Sequence, residues 1–295
     1  MKSLEKLVCD VNRFYAVHVE RLVYRMRRYK LLRKFGFEEE AQVGAVQLDF
    51  GDSGLCRSPF CKVLGLRYGK YFQRFRSKRA EQPVAMQGAG ILAVMDLRIY
   101  NGYEDFRRQL CKQSGNFYRD SNKAQKNGYL FHKFQYSNHT ADICEIRKSM
   151  VVRSFGPVLD AFSLSLESLG GSPETCHPNV DPECARHWEM FFGVFTMRPG
   201  YRQGSLVVNE KLVAYVRLHR IGNIVRYAEF MGHGAYLRQG IMMLLHTKLI
   251  EWLFTLDNPW AKGVYFVAYG AIEQGREGLR FWKRKALFVP KILLH

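Results

Sequence analysis

The residues of this chain with the clearest chemical potential lie in one run, Gly232-His-Gly-Ala-Tyr-Leu-Arg238-Gln239-Gly240, ahead of an amphipathic helix. Backbone N–H groups of a Gly-rich loop at a helix N-terminus form a ready anion site. The same residues also fit a hairpin packed on a core helix. A second group, Cys176-His177 and Cys184-Ala-Arg-His187, carries the ligand types of a zinc site. Neighbouring side chains such as Cys176 and His177 rarely converge on one ion, so no metal is expected; Cys184 and His187 come nearest to being ligands. A third stretch, Leu64 to Arg79, interleaves Tyr68, Tyr71, Phe72 and Phe75 with basic residues including Arg74 and Arg76. Basic groups beside stacking aromatics suit single-stranded nucleic acid or a tRNA end. A solvated hairpin accounts for them almost as well.

The elements that must position these groups follow from periodicity. Residues 212–219 alternate as a strand, Gly222-Asn223 turns the chain, and Ile224 to Met231 run back. After the loop, Ile241, Leu244, Leu245, Lys248, Leu249 and Trp252 recur at helical spacing. Further strands are expected at 43–50, 92–99, 129–136, 187–195, 205–208, 264–269 and 288–294. Helices are expected at 103–111, 117–126, from about 147 to 154, and ahead of the last strand. Residues 3–35 read as a basic amphipathic helix, of the kind that docks on its own protein, lies on a membrane or grips phosphates. Residues 164–182 hold Gly, Ser and Pro without a period and read as a linker or loop. Strands and helices alternate throughout, which predicts a mixed α/β fold.

Composition sets the outer bounds. At 295 residues and 47% hydrophobic content the chain can bury a sizeable core. No apolar run reaches the ~20 residues that span a bilayer, and no signal-peptide pattern opens the chain. Seven scattered Cys suit a reducing compartment, so a cytoplasmic protein is expected. The net charge of +18 attracts polyanions such as nucleic acid, anionic membrane or phosphorylated cofactors. Residues 1–90 hold 18 Lys and Arg against 9 Asp and Glu, half of that excess.

The order of elements from His187 onward resembles the GNAT acyltransferase superfamily. Arg119-Asp-Ser-Asn-Lys123-Ala-Gln-Lys126-Asn-Gly128-Tyr129 is similar to a basic helix–strand junction in the first lobe of double-GNAT proteins, the FemAB-type aminoacyl transferases and their acyl-CoA-using relatives. Gly278-Leu-Arg-Phe281-Trp-Lys283-Arg-Lys-Ala-Leu-Phe288-Val-Pro290 resembles the closing segment of that group. The resemblance covers roughly Leu92 to His295. It implies a GNAT-like mixed sheet flanked by helices, with two GNAT-like lobes and a basic N-terminal extension. The divisions expected are 1–90 (helix plus aromatic and basic hairpin), 91–163 as first lobe, 164–186 as linker, and 187–295 as acyltransferase lobe. One departure matters: Arg238-Gln239-Gly240-Ile241 compresses the family's phosphate-cradling loop and lacks its second Gly.

The activity implied is transfer of an acyl or aminoacyl group, from acyl-CoA or aminoacyl-tRNA, to an amine. Amide formation needs an amine stripped of a proton, a polarised carbonyl and a proton for the leaving group. Glu229 and His233, on and just after a strand, are candidate bases, although Glu229 also suits an ion pair with Arg226. By the resemblance, Tyr269 is the candidate acid and Lys283 touches a donor phosphate or carbonyl. Arg238, Gln239, Gly240 and Ile241 would hold the donor, with Gly240 in the loop and outside the core. Arg119, Lys123, Arg74 and Arg76 would meet acceptor or polyanion. Partners would be CoA or tRNA as donor, with nucleic acid as a further candidate; the runner-up reading is a nucleic-acid-binding or nucleic-acid-modifying protein on the same scaffold. Peripheral membrane contact through residues 3–35 ranks last, and no oligomeric state is implied.

Overall fold

Long runs of β-branched and aromatic residues build the centre of the molecule, where strands are covered on both faces and therefore read as apolar throughout. The computed structural model describes residues 44–51, 56, 58–76, 90–150, 164–272, 274–275 and 277–294, plus the backbone of two short strands at 152–153 and 156–157. The basic helix read over residues 3–35 lies outside the described residues.

One mixed sheet of eight strands runs in the order β1 (Ala45–Val46), β12 (Val289–Leu293), β2 (Leu92–Asp96), β11 (Phe266–Ala271), β10 (Ile224–Gly232), β9 (Glu210–Ile221), β6 (His187–Met197) and β3 (Tyr129–Phe134). Two small ribbons pair β4 (Val152–Arg153) with β5 (Gly156–Pro157) and β7 (Arg202–Gln203) with β8 (Leu206–Val207). In the large sheet the β1–β12 and β10–β11 pairs are parallel, and the other neighbours are antiparallel. Residues 91–163 and 187–295, expected as two lobes, feed adjacent strands into this single sheet.

Among the described residues five helices cover it: α1 (Pro59–Gln73), α2 (Tyr103–Lys126), α3 (Thr140–Lys148), α4 (Ile241–Leu253) and α5 (Glu277–Lys285). One face carries the main core, in which Phe106, Leu110 and Phe117 of α2 and Leu244, Leu245 and Leu249 of α4 meet Trp188, Val216, Tyr227 and Val267. The opposite face carries two smaller cores, one under α1 and one under α3. The two helices expected at 103–111 and 117–126 form one kinked element, with Ser114 leaving the helical region at φ −159° and ψ 77°.

The hairpin expected within residues 64–79 is a correction. Pro59 opens helix α1, and Leu64, Tyr68, Phe72 and Phe75 point into the core at 2%, 3%, 0% and 1% exposure. Helical spacing of its apolar residues explains the outcome. Three of its four aromatic rings are therefore unavailable to stack on bases.

Candidate active site

Strands β10 and β11 part company early. They pair in parallel at Ile224–Phe266, Val225–Val267 and Arg226–Ala268, yet β10 continues to Gly232 and β11 to Ala271 with no further pairing between them. Beside this opening β10 carries a bulge: Tyr227 faces Leu218 and Glu229 faces Arg217, so Ala228 is the extra residue. A one-residue insertion reverses which side chains face which side. Without it Glu229 would stand opposite Val216 over the main core; with it, Glu229 shares a face with Arg217 and Tyr215.

Glu229 there accepts hydrogen bonds from the Tyr215 hydroxyl at 2.8 Å and from Arg217 at 3.4 Å. Its partner is thus Arg217 and not the Arg226 that the sequence suggests. Arg217 also donates to Glu189 at 2.7 and 2.9 Å. Glu189 bonds His219, which bonds the Tyr68 hydroxyl of α1. Arg226 donates to the same hydroxyl at 3.1 Å and stacks on Tyr71 at 4.1 Å. The row runs between the α1 and α3 cores, a half-buried polar seam across β6, β9 and β10. Burial opposes the ionised form of Glu189, but His219 and Arg217 outweigh it and hold the carboxyl below its usual range. Burial also pushes the His219 imidazole down, and Glu189 only partly offsets this.

The loop from Gly232 to Gly240 lies at the same end of β10. Residues Gly234–Gln239 form a 3-10 turn capped by His233, whose Nδ1 accepts from the Ala235 N–H at 3.2 Å. That bond leaves the proton on Nε2, which faces Glu145 of α3 at 3.1 Å. Both ring nitrogens of His233 are thus engaged. Gly240 has φ +80° and is the N-cap of α4. A Cβ built there would sit 2.2 Å from the Asp120 carbonyl oxygen of α2. Gly240 is therefore a packing point between α2 and α4, which corrects its placement outside the core. The contact brings the exposed Arg119 and Lys123 of α2 to the loop that carries exposed Arg238. The Tyr129 hydroxyl donates to Gln239 Oε1 at 2.5 Å, so two motifs far apart in sequence meet here.

Tyr269 stands on the main-core side of the opening, its ring 5.5 Å from Tyr227, 5.6 Å from Phe230 and 5.8 Å from Trp282. Burial raises its phenol above the ordinary range, so the hydroxyl keeps its proton at neutral pH. Lys283 is fully buried and donates to the Ala271 carbonyl at 2.7 Å, at the end of β11. That ammonium fastens α5 to β11. Arg74 stacks over Tyr71 at 4.1 Å, and Arg76 bridges Leu293, both remote in the fold from the loop at Gly240. Ile241 is buried in the main core.

Sequence reasoning missed Glu189, Arg217 and Tyr215. The available signal was charge placed inside otherwise apolar strands, since a buried polar group is the informative exception. Cys184 and His187 meet Cys56 and Cys61, two further residues not singled out. Cys176 and His177 lie elsewhere, against Asn138.

No family model matches the sequence, and no curated protein matches it. Among solved structures the chain is similar to the C-terminal domain of a protein assigned as a lysylphosphatidylglycerol synthetase from Agrobacterium fabrum. That likeness has 10% identity and a TM-score of 0.38 over 69% of this chain and 58% of that one. The chain is also similar to FemX, at 9% identity and a TM-score of 0.42 over 78% of this chain and 66% of that one. It thus spans less than two thirds of the length of the synthetase domain. Among the described residues no helix is long and apolar enough to cross a membrane.

Proposed function

We propose that the protein is an N-acyltransferase with a GNAT-like fold that moves an acyl or aminoacyl group from acyl-CoA or aminoacyl-tRNA to an amine. The observation that carries this reading is the opened β10–β11 pair beside the α4 N-terminus. Strand backbone with no ladder partner can hydrogen-bond an extended amide-bearing chain, and the helix end favours the attached phosphates. Arg238, Arg119 and Lys123 supply positive charge around that end.

Glu229 and Tyr269 flank the opening from the two faces of the sheet. Glu229 takes the proton of the incoming ammonium, directly or through water, so that the neutral amine can attack the donor carbonyl. Arg217 and Tyr215 fix the carboxylate's orientation. Tyr269, kept protonated by burial, gives its proton to the leaving thiolate or ribose oxygen, and the second proton that the attacking nitrogen loses as the amide forms returns to the phenol through water. His233 caps the loop and Lys283 anchors β11, so both are positioning residues.

The test uses the full chain with labelled acetyl-CoA and, separately, with charged tRNA, in the presence of a panel of amines. Transfer that Glu229→Gln reduces at least tenfold, with donor affinity retained, is the expected result. If neither donor binds at micromolar concentration, the reading is abandoned.

A further inference from the structure

A second chemical centre lies at the other end of β6, away from the loop at Gly240. Cys184 and His187, on the approach to β6 and at its first residue, meet Cys56 and Cys61 from the segment that enters α1. The three sulfurs and the His187 Nδ1 all lie within 4.8 Å of one another. Cys56 Sγ is 3.7 Å from Cys184 Sγ and 3.2 Å from His187 Nδ1, and Cys184 Sγ is 3.6 Å from that nitrogen. We propose that Cys56, Cys61, Cys184 and His187 form a tetrahedral Cys3His zinc site.

The Cys56–Cys184 and Cys184–His187 distances suit the ion. Bonds of ~2.3 Å to sulfur and ~2.0–2.1 Å to nitrogen at tetrahedral angles place two sulfurs about 3.8 Å apart and a sulfur and nitrogen about 3.6 Å apart. A disulfide demands about 2.05 Å between sulfurs, far shorter than the 3.7 Å seen.

The surroundings suit it as well. His187 Nε2 donates to the Phe50 carbonyl at 2.8 Å, which fixes the tautomer and aims the Nδ1 lone pair at the thiols. Metal-bound imidazoles characteristically have such an outer partner. Cys61 is in the first turn of α1, where the helix end favours negative charge. Three thiolates around Zn2+ leave one net negative charge. Arg220 is placed to answer it: the residue is 2% exposed, burial and then Arg186 lower its pKa while Cys184 acts the other way, and among the described residues its hydrogen bonds go only to carbonyl oxygens. A buried cation without a carboxylate is costly unless some other negative charge stands near.

The site would clip Cys56 and the first turn of α1 to the start of β6, with Cys56 at sequence separations of 128 and 131 residues from its partners. This sets α1, and with it Tyr68, on the polar seam. The proposal does not rest on the transferase reading.

Metal analysis of the full chain, purified without chelator from zinc-supplemented cells, tests it. About one zinc per chain is expected, with X-ray absorption giving three sulfurs at ~2.3 Å and one nitrogen at ~2.0–2.1 Å. Cobalt(II) put in its place should show the visible bands of a tetrahedral thiolate centre. Cys61→Ser and Cys184→Ser should each lower zinc content at least tenfold, while Cys111→Ser and Cys176→Ser leave it unchanged. A folded wild-type chain that holds no zinc after supplementation and refolding with zinc(II), or that carries a Cys56–Cys184 disulfide by mass spectrometry, overturns the proposal. So does full zinc content in both ligand variants.

Discussion

Replacing Gly240 by Ala should destabilise the protein by roughly 2–5 kcal/mol, summing the two effects that follow. At φ +80° a residue with a Cβ is strained, at a cost of roughly 1–2 kcal/mol. The new methyl carbon would stand 2.2 Å from the Asp120 carbonyl oxygen and 2.8 Å from its carbon. Carbon–oxygen contacts settle nearer ~3.3 Å, so α2 must shift by about 1 Å. It is not free to do so cheaply, because Ser121 on the next residue hydrogen-bonds Thr247 of α4 at 2.6 Å. Overpacking of this kind costs about 1–3 kcal/mol. Equilibrium unfolding in urea is the assay, and a lower midpoint at unchanged slope is the expected form. Gly115→Ala is the control, because nothing lies within 4 Å of a Cβ there. A loss at Gly240 under about 0.5 kcal/mol, the scatter of ordinary surface changes, would refute the close approach and return the residue to a loop role.

Three other outcomes are expected. Burial brings the His246 imidazole down to about 3, with the Tyr227 hydroxyl 3.0 Å from its Nδ1. Above the unfolded value of about 6.5 both states are neutral; below it the unfolded chain binds a proton that the folded one refuses, so stability falls by up to about 1.4 kcal/mol per pH unit down to pH 3. His246→Gln should flatten that limb of the stability profile, and an unchanged acid slope would clear His246 of any part in it. Arg220→Met removes the donor from the carbonyls of Gly222, Trp260 and Lys262; a loss of roughly 3–5 kcal/mol in denaturant unfolding is expected, and a loss below about 1 kcal/mol would show that water replaces it. Arg238→Ala should weaken an anionic donor about tenfold in calorimetry, close to 1.4 kcal/mol, with an unchanged melting temperature; equal affinity would move the phosphate site elsewhere.

The succession of β9, β10, α4, β11, α5 and β12 was legible because each element declares its own period, and the Gly222-Asn223 turn because its chemistry is local. What Gly222 also does was hidden: a Cβ there would meet the Asp49 carbonyl oxygen at 1.9 Å, a partner far away in sequence. The misread stretch at 64–79 held its own answer, since Leu64, Tyr68, Phe72 and Phe75 fall three and four residues apart after Pro59. The interleaved charges drew attention from that spacing. Glu229 and Tyr269 could be singled out as polar groups near strand ends, but the seam of Glu189, Arg217 and His219 depends on register between strands, which no local pattern encodes. The bulge that turns Glu229 toward that seam is likewise a single unpaired Ala228. Cys56 and Cys61 lacked any visible link to Cys184 and His187 until β6 and α1 were set side by side.

The position of β12 bears on how the chain comes off the ribosome. That strand fits between β1 and β2, so residues near 45 and near 94 must both wait for residues 289–293 before the row of strands is filled. At about 5–20 residues per second, some 200 intervening residues take on the order of ten seconds or more to appear. For most of that interval β2 lacks both of its neighbours, because β11 too appears late, at residues 266–271, and bare strand edges are the kind of surface on which chains aggregate. The nascent protein therefore has reason to recruit a holding chaperone, and slowing translation before residue 289 should lower the yield of soluble protein more than slowing it before residue 90.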